Sequence, residues 1–377
     1  LRFTRGAARR AMADLKANPK YDYARHNPAV EALIAKLDFA KRALAKGTDA
    51  EKAEAVRLVE GYRAAMLANP ILDFDRILCV HRRINGARNA FGGRGSGMTG
   101  LNAENHMVAP RTGFENEIGV LSNLRGKPVF TPLYKPADRT SIVRDIDLDF
   151  DASRILFTGY KGTNNLFGIY EIKADFAKLT PEMPYQTPEL VSPEDGKYDI
   201  QWWDASYLPN RDQVVMLGTA AYQFLPCEDG NMPMAVLYRK DRRTGEVRQL
   251  TYEQDSDYTP SITHDGRILY TRWEYSDQPH YWSRVLMTMN PDGIGQLAVW
   301  GSNSFVPTFF YCARSIPGDP HKITMIGGGH HDRAEVGRMF IVDPTLARGY
   351  PFRYDPPDRD WGPPRHTLRI PTQTFPK

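Results

Sequence analysis

The sequence predicts a mainly β chain: a β-propeller preceded by an N-terminal helical hairpin. Three observations carry that prediction. First, five segments share a turn followed by an apolar β run: Asp75–Val80, Asp151–Thr158, Pro209–Leu217, Asp265–Thr271 and Gly318–Ile326. Second, with Ile155, Val214, Ile268 and Ile323 as equivalent anchors, the gaps are 59, 54 and 55 residues, an internal period that decides architecture before any single motif. Third, a second strand follows each of these anchors (Leu166–Ile172, Ala235–Lys240, Arg284–Met289, Arg338–Val342), and a turn leads to a third in Glu246–Thr251 and Gly295–Trp300. A unit of roughly 40 to 55 residues with about four strands is a propeller blade, and a sandwich has no need of the repeat.

The chain opens with helices over residues 1–70. Asn27-Pro28 reads as a cap followed by proline at the first helical position; Val30, Leu33, Ile34 and Leu37 share one face, and Gly47 closes the segment. Thr48-Asp-Ala-Glu51 is a capping-box pattern opening a second helix. Its apolar face is Ala55, Leu58, Val59, Tyr62 and Met66, and it ends at Asn69-Pro70.

From Ile71 to residue 349 the periodicity is that of strands. The best-preserved repeat is Asp257–Tyr275, read as a polar turn, a proline-set entry, a tight Asp265-Gly266 turn and then a strand. The gap from Ile77 to Ile155 is 78 residues, so the first repeat carries an insertion near 87–133, Gly-rich and then polar, with little strand character. Within it Gly95-Ser-Gly-Met-Thr-Gly100 matches a dinucleotide pattern in form only, because no strand precedes it and no helix follows. Residues 350–377 read as a Pro-rich extended tail. A ring must close to hide its edge strands. The expectation is therefore about six or seven blades, with either a last blade missing from this chain or a partner completing the ring.

Composition excludes several classes. Apolar content of 41% and charge of 25% are ordinary for a soluble chain. The net charge of +4 is small and the basic residues are scattered, so nucleic acid is not an expected partner. No apolar run approaches the length that spans a bilayer, so no membrane span is expected. Three cysteines (Cys79, Cys227, Cys312) are too few and too far apart for a disulfide framework. The chain starts at Leu1 without the apolar centre of a signal peptide, which reads as a fragment or processed form.

Candidate chemistry sits in a few places. Gly327-Gly-Gly-His-His-Asp332 would deliver two imidazoles, His330 and His331, to a loop at a strand end, where glycines let the backbone turn sharply enough for both to reach one ion. Tyr270, Arg272 and Glu274 share one strand face, so Arg272 and Glu274 could hold a polar ligand at the propeller's mouth, or form an ion pair joining blades. Asp145-Ile-Asp-Leu-Asp-Phe-Asp151 lacks the glycine and glutamate of an EF-hand loop. Its alternation instead predicts a strand with Ile146, Leu148 and Phe150 on the dry face. Trp202-Trp203-Asp204 could offer sugars an aromatic platform or pack between blades. No Gly-x-Ser-x-Gly elbow is present.

The wording of the repeats carries a resemblance. Arg248-Gln-Leu-Thr251 followed by Asp257-x-x-Pro-Ser-x-x-x-Asp-Gly-Arg-Ile-Leu-Tyr270 is similar to TolB-like (PD40-type) propeller repeats. Longer phrases resemble the middle, propeller domain of the hydrazine synthase alpha-subunit family over about residues 60–345. These are Asn69–Asp75, Ser206–Pro209, Arg267–Tyr275, Asn290–Gly293, Ile316–Gly318 and Gly329–His331. The resemblance implies an exported, periplasmic or extracellular bacterial protein whose propeller serves a redox centre, with a haem-bearing domain or subunit as partner. The family's use of zinc and haem adds Cys227 to His330 and His331 as a metal set for zinc or another transition metal ion. The chain has no Cys-x-x-Cys-His, so no covalent haem is expected in it and an enzymatic activity of its own stays open. Two alternatives stand beside this reading: a TolB-like protein-interaction propeller, and a propeller hydrolase or lyase acting on saccharides through groups such as His330, His331 and Glu274.

Overall fold

A computed structural model of the chain describes residues 4–84, 114–137, 141–161, 166–180, 185–194, 198–225, 233–274, 284–301, 309–328, 337–345 and 368–369. The chain forms two compact units: residues 1–77, 120–130 and 371–377 make one, and residues 78–119 and 131–370 the other.

The first unit is built on four helices where the sequence predicts a hairpin of two: α1 (Arg5–Lys16), α2 (Tyr23–Ala35), α3 (Leu37–Lys46) and α4 (Asp49–Leu67). Asp22, not Asn27, caps α2 by accepting from the Arg25 N–H, and Pro28 lies inside the helix. The predicted single helix breaks at Lys36, which ends α2 and precedes α3. The capping box at Thr48 and Glu51 forms as predicted. Met12, Leu15, Tyr21, Val30 and Ile34 pack in one cluster and Leu33, Leu37, Ala40, Ala43 and Ala55 in another. The Tyr21 hydroxyl is buried yet satisfied, donating to the Ala65 carbonyl at 2.8 Å.

The strands form five sheets arranged as a β-propeller, and the pairing is antiparallel throughout the second to fifth. The first has three strands, β1 (Arg76–Ile84), β2 (Phe114–Ser122) and β3 (Val129–Tyr134). The second runs β4 (Val143–Leu148), β5 (Arg154–Lys161), β6 (Leu166–Lys173) and β7 (Glu189–Leu190). The third runs β8 (Trp202–Tyr207), β9 (Gln213–Gly218), β10 (Val236–Asp241) and β11 (Val247–Gln249). The fourth holds β12 (Asp257–Ile262), β13 (Ile268–Trp273), β14 (Arg284–Met289) and β15 (Leu297–Trp300). The fifth holds β16 (Phe309–Ser315), β17 (Ile323–Gly328), β18 (Arg338–Val342) and β19 (Leu368–Arg369). Among the described residues there are thus five blades, not the six or seven expected, and the fifth takes its outer strand from the Pro-rich tail.

The strands predicted from the repeat all form, but in four blades they are the second, third and fourth; only the strand predicted in Asp145–Asp151 is an innermost one, and it ends at Leu148. The innermost strands β4, β8, β12 and β16 are the ones local pattern reads poorly. Asp257–Ile262 is a strand and not a polar turn, and the insertion near 87–133 holds β2 and the start of β3. Propeller strands here are covered on both faces, as in β8 and β13 where every residue is buried, so no period-two alternation survives. The core lies in the seams between blades. Leu156 and Ile169 pack with Trp202, Val214 and Met216 in one seam, Trp203, Val215 and Leu217 with Ile268, Tyr270 and Met287 in the next, and Leu269 and Leu286 with Phe310, Met325 and Phe340 in a third. Gly218 faces Trp202 across the ladder, and a Cβ there would sit 2.3 Å from the indole ring. Gly266 adopts φ +80° in the predicted Asp265-Gly266 turn, which only glycine does without strain.

Candidate functional site

The four innermost strands share a device. Each carries a bulge opposite the strand beside it, between Arg144 and Asp147, Trp203 and Ser206, Tyr258 and Ser261, and Tyr311 and Arg314. The first bulged residue has left-handed backbone in every case: Asp145 (φ 52°), Asp204 (47°), Thr259 (45°) and Cys312 (51°). None is glycine, so each conformation is held by its surroundings at an energetic cost. Side chains and main chain supply the hold: the Asp204 N–H donates to Thr158 Oγ1 at 2.9 Å and the Cys312 N–H to Thr259 Oγ1 at 3.0 Å. Asp145 forms a buried ion pair with Arg144 at 2.6 Å.

Two residues beyond each left-handed position stands a polar group that reaches the neighbouring blade. The Ser206 hydroxyl donates to the Pro260 carbonyl at 3.1 Å, and the Ser261 hydroxyl to the Ala313 carbonyl at 2.7 Å. Asp147 accepts from the Tyr207 N–H at 3.0 Å. Arg314 donates through Nη1 to the Pro260 and Ala313 carbonyls, both at 3.3 Å. The inner rim of blades two to five is therefore stitched by one polar position per blade. Burial raises the Asp147 pKa above the usual carboxylate range, against the opposing pull of the Tyr207 N–H and the Arg314 charge. Pro260 fits in β12 because its missing N–H falls in the bulge.

A second polar centre lies at the seam of blades two and three. Asp149, fully buried, accepts from the Ser153 N–H (2.7 Å), Arg154 Nε (3.0 Å) and Arg211 Nη2 (2.8 Å). Burial alone would raise its pKa, but these donors outweigh burial and hold the carboxyl well below the ordinary range. Glu171 accepts from the Tyr207 hydroxyl at 2.7 Å and from Arg242 at 2.8 Å. Burial and the Glu171 carboxylate together push the Tyr207 phenol up.

Arg272, predicted from sequence as a ligand-binding residue with Glu274, is 7% exposed on β13. Its Nη2 meets Glu253 Oε1 (2.8 Å), Gln296 Oε1 (2.7 Å) and the Tyr270 hydroxyl (2.9 Å), and its Nε lies 3.8 Å from Asp257 Oδ1. Asp257 is fully buried and accepts from the Thr251 hydroxyl; burial lifts its pKa to about 7 despite that bond and the Arg272 charge. Glu274 stands one residue past β13 and is exposed. Cys227, His330 and His331 lie outside the described residues. Among the described residues no three His, Cys, Asp or Glu side chains are grouped to hold a metal ion.

The remaining sequence candidates resolve differently. Trp202 and Trp203 are 2% and 1% exposed, so they pack between blades and offer no platform to a sugar. The bulge in β4 overturns the alternation read in Asp145–Asp151: Leu148 and Phe150 are exposed and Asp149 is buried. Sequence reading missed the inner-rim residues Asp147, Ser206, Ser261 and Arg314. Their signal is a short pattern seen once the blades are superposed: a bulky residue, the left-handed residue, an apolar residue, then the bridging group.

No family model and no curated protein matches this sequence. Solved structures do match. Hydrazine synthase of Kuenenia stuttgartiensis aligns with a TM-score of 0.52 at 13% identity, covering 78% of this chain and 39% of that one. A putative TolB from Agrobacterium tumefaciens aligns with a TM-score of 0.42 at 14% identity, covering 61% of this chain and 72% of that one. A puromycin-hydrolyzing peptidase of Mycobacterium tuberculosis gives 0.43 at 10% identity, over 72% and 35% of the two chains. This chain thus spans about two fifths of the hydrazine synthase chain it matches. At such identities the likeness is one of fold: the chain carries a β-propeller.

Proposed function

We propose that this chain is the scaffold and ligand-binding propeller of a larger exported protein whose neighbouring part carries a redox centre. The observation that supports it is the inner rim, where on four blades a polar position bonds across to a neighbouring blade two residues beyond a strained, left-handed residue. Strained, over-determined backbone is kept where a fixed geometry is useful, which suits a rigid platform beside a reacting centre. The propeller likeness to hydrazine synthase, in words and in fold, supplies the redox neighbour. On this reading Cys227, His330 and His331 bind a zinc or other transition metal ion. Arg272 is committed to internal partners, so Glu274 is the member of the predicted pair that meets a polar ligand.

The test is fractionation of the source cells followed by size-exclusion chromatography of the tagged chain. The expected result is a periplasmic or extracellular species that co-elutes with haem absorbance and carries stoichiometric metal. A cytoplasmic monomer with neither overturns the reading.

A further inference from the structure

We propose that Arg314, at the inner rim of the propeller, is the binding point for a small ligand bearing a carboxylate or other oxyanion. The inference deepens the ligand-binding part of the reading above and rests on it. It begins from how Arg314 is held. The residue is only partly exposed, and among the described residues no close ion pair of it is present. Asp147 feels its charge without forming such a pair.

The guanidinium is nonetheless held. Its Nη1 donates to two main-chain carbonyls, Pro260 on β12 and Ala313 on its own strand. Those contacts fix the plane through one corner of the fork, and among the described residues they are the hydrogen bonds that Arg314 makes. The edge formed by Nε and Nη2 is the one that pairs bidentately with a carboxylate or oxyanion. Arg314 therefore has a rigid mount and an unused fork. The mount is also stiff at its base, because Cys312, two residues earlier, is locked in left-handed backbone by Thr259.

The other rim positions define what else the ligand meets. Ser206 and Ser261 are buried and donate to the Pro260 and Ala313 carbonyls, so they hold the rim in place around Arg314. Asp147 on β4 feels the charge of Arg314 and lies close to Asp149 and the Ser206 hydroxyl. A ligand that carries an ammonium group besides its carboxylate would find its second partner there.

The experiment is calorimetric titration of the purified chain with sulfate, acetate and glycine, repeated with Arg314→Gln and Arg314→Lys. Glutamine removes the charge and keeps a polar side chain, while lysine keeps the charge and loses the fork. Near-UV circular dichroism checks that each variant is folded; if R314Q fails that check, R314K alone still reads the loss of the fork. The expected result is millimolar or tighter binding of at least one probe, weakened ~10-fold or more in R314Q and by less in R314K, as for loss of a charge-assisted bidentate pair. A preference for glycine over acetate that also vanishes in R314Q supports the proposal and adds Asp147 as the ammonium partner. Absence of binding of all three probes up to ~50 mM, or binding equal in R314Q (an adventitious ion only), overturns it. Neither outcome touches export or haem co-elution, so the scaffold reading stands or falls separately.

Discussion

Two buried aspartates, each near an arginine, sit in neighbouring seams of this propeller and titrate in opposite directions. Asp149 is held below the ordinary carboxylate range, and Asp257 is lifted to about 7. Burial opposes ionisation at both, so burial does not distinguish them. What differs is the number and closeness of donors. Asp149 has two arginines within 3.0 Å and main-chain N–H groups besides. Asp257 has the Thr251 hydroxyl, a guanidinium 3.8 Å away, and the like charge of Glu253 competing for that same guanidinium. A buried ion pair is therefore a poor unit of description. The donors that point at the carboxylate decide its state, and an arginine shared with a second acid counts for less.

The largest expected effect follows from breaking the better-paired centre. Asp149→Ala leaves Arg154 and Arg211 without their carboxylate and should lower stability by about 3–5 kcal/mol, read as a shift of the urea midpoint at pH 7. A loss under about 1 kcal/mol would show that Asp151, which also pairs with Arg211 at 2.6 Å, takes over the role. In the wild-type chain the Asp149 contribution is complete above the unfolded pKa of about 3.9 and is lost as pH falls below it.

Asp257 should show the reverse sign. Its folded pKa of about 7 exceeds the unfolded value, so the folded chain holds the proton more tightly and stability falls as pH rises from about 4 to 7. The upper bound on that loss is about 4 kcal/mol, three pKa units at about 1.4 kcal/mol each. Asp257→Asn keeps an acceptor for Thr251 and removes the ionisation. It should match the wild type near pH 4 and exceed it at pH 8, in thermal melts across that range. A variant less stable than the wild type at pH 8 would mean that the Arg272 attraction is worth more than burial costs.

The comparison sharpens further at Glu253, which is nearly one-third exposed. Glu253→Gln should cost only about 1 kcal/mol or less, as for a partly screened pair. It also removes the like charge beside Asp257 and frees Arg272, so the pH transition of Asp257 should move downward. An unmoved transition would separate the two acids and leave burial as the whole cause.

Much of the fold is legible in the sequence because its signals are local. The Asp265-Gly266 turn needs a glycine at positive φ, the Thr48–Glu51 capping box closes within four residues, and the runs Ile268–Trp273 and Val214–Leu217 bury both faces. The innermost strands are harder to read for a physical reason. Their left-handed residues are aspartate, threonine and cysteine, held by Thr158 and Thr259 some 46 and 53 positions away. Local propensity at Asp204 or Cys312 says nothing of that. The Arg272 cluster is half legible: the strand pattern points to the residue but pairs it with Glu274, two positions along the strand. The carboxylates it meets come instead from Glu253, in the connection before β12, and from Asp257, directly opposite in the ladder.

Glu274 provides the smallest predicted effect and the cleanest reading of what the exposed end of β13 is for. Arg272 has three close partners without it, so removing the Glu274 carboxylate should leave the cluster intact. Glu274→Ala should change stability by no more than about 0.5 kcal/mol, the usual range for an exposed substitution away from caps and cores. A double-mutant cycle with Arg272→Met measures the coupling directly. A coupling energy near zero assigns Arg272 to holding blade four together and leaves Glu274 to the surface. A coupling above about 0.5 kcal/mol restores the pair as one unit, since residues in one ionic network depart from additivity by at least that much.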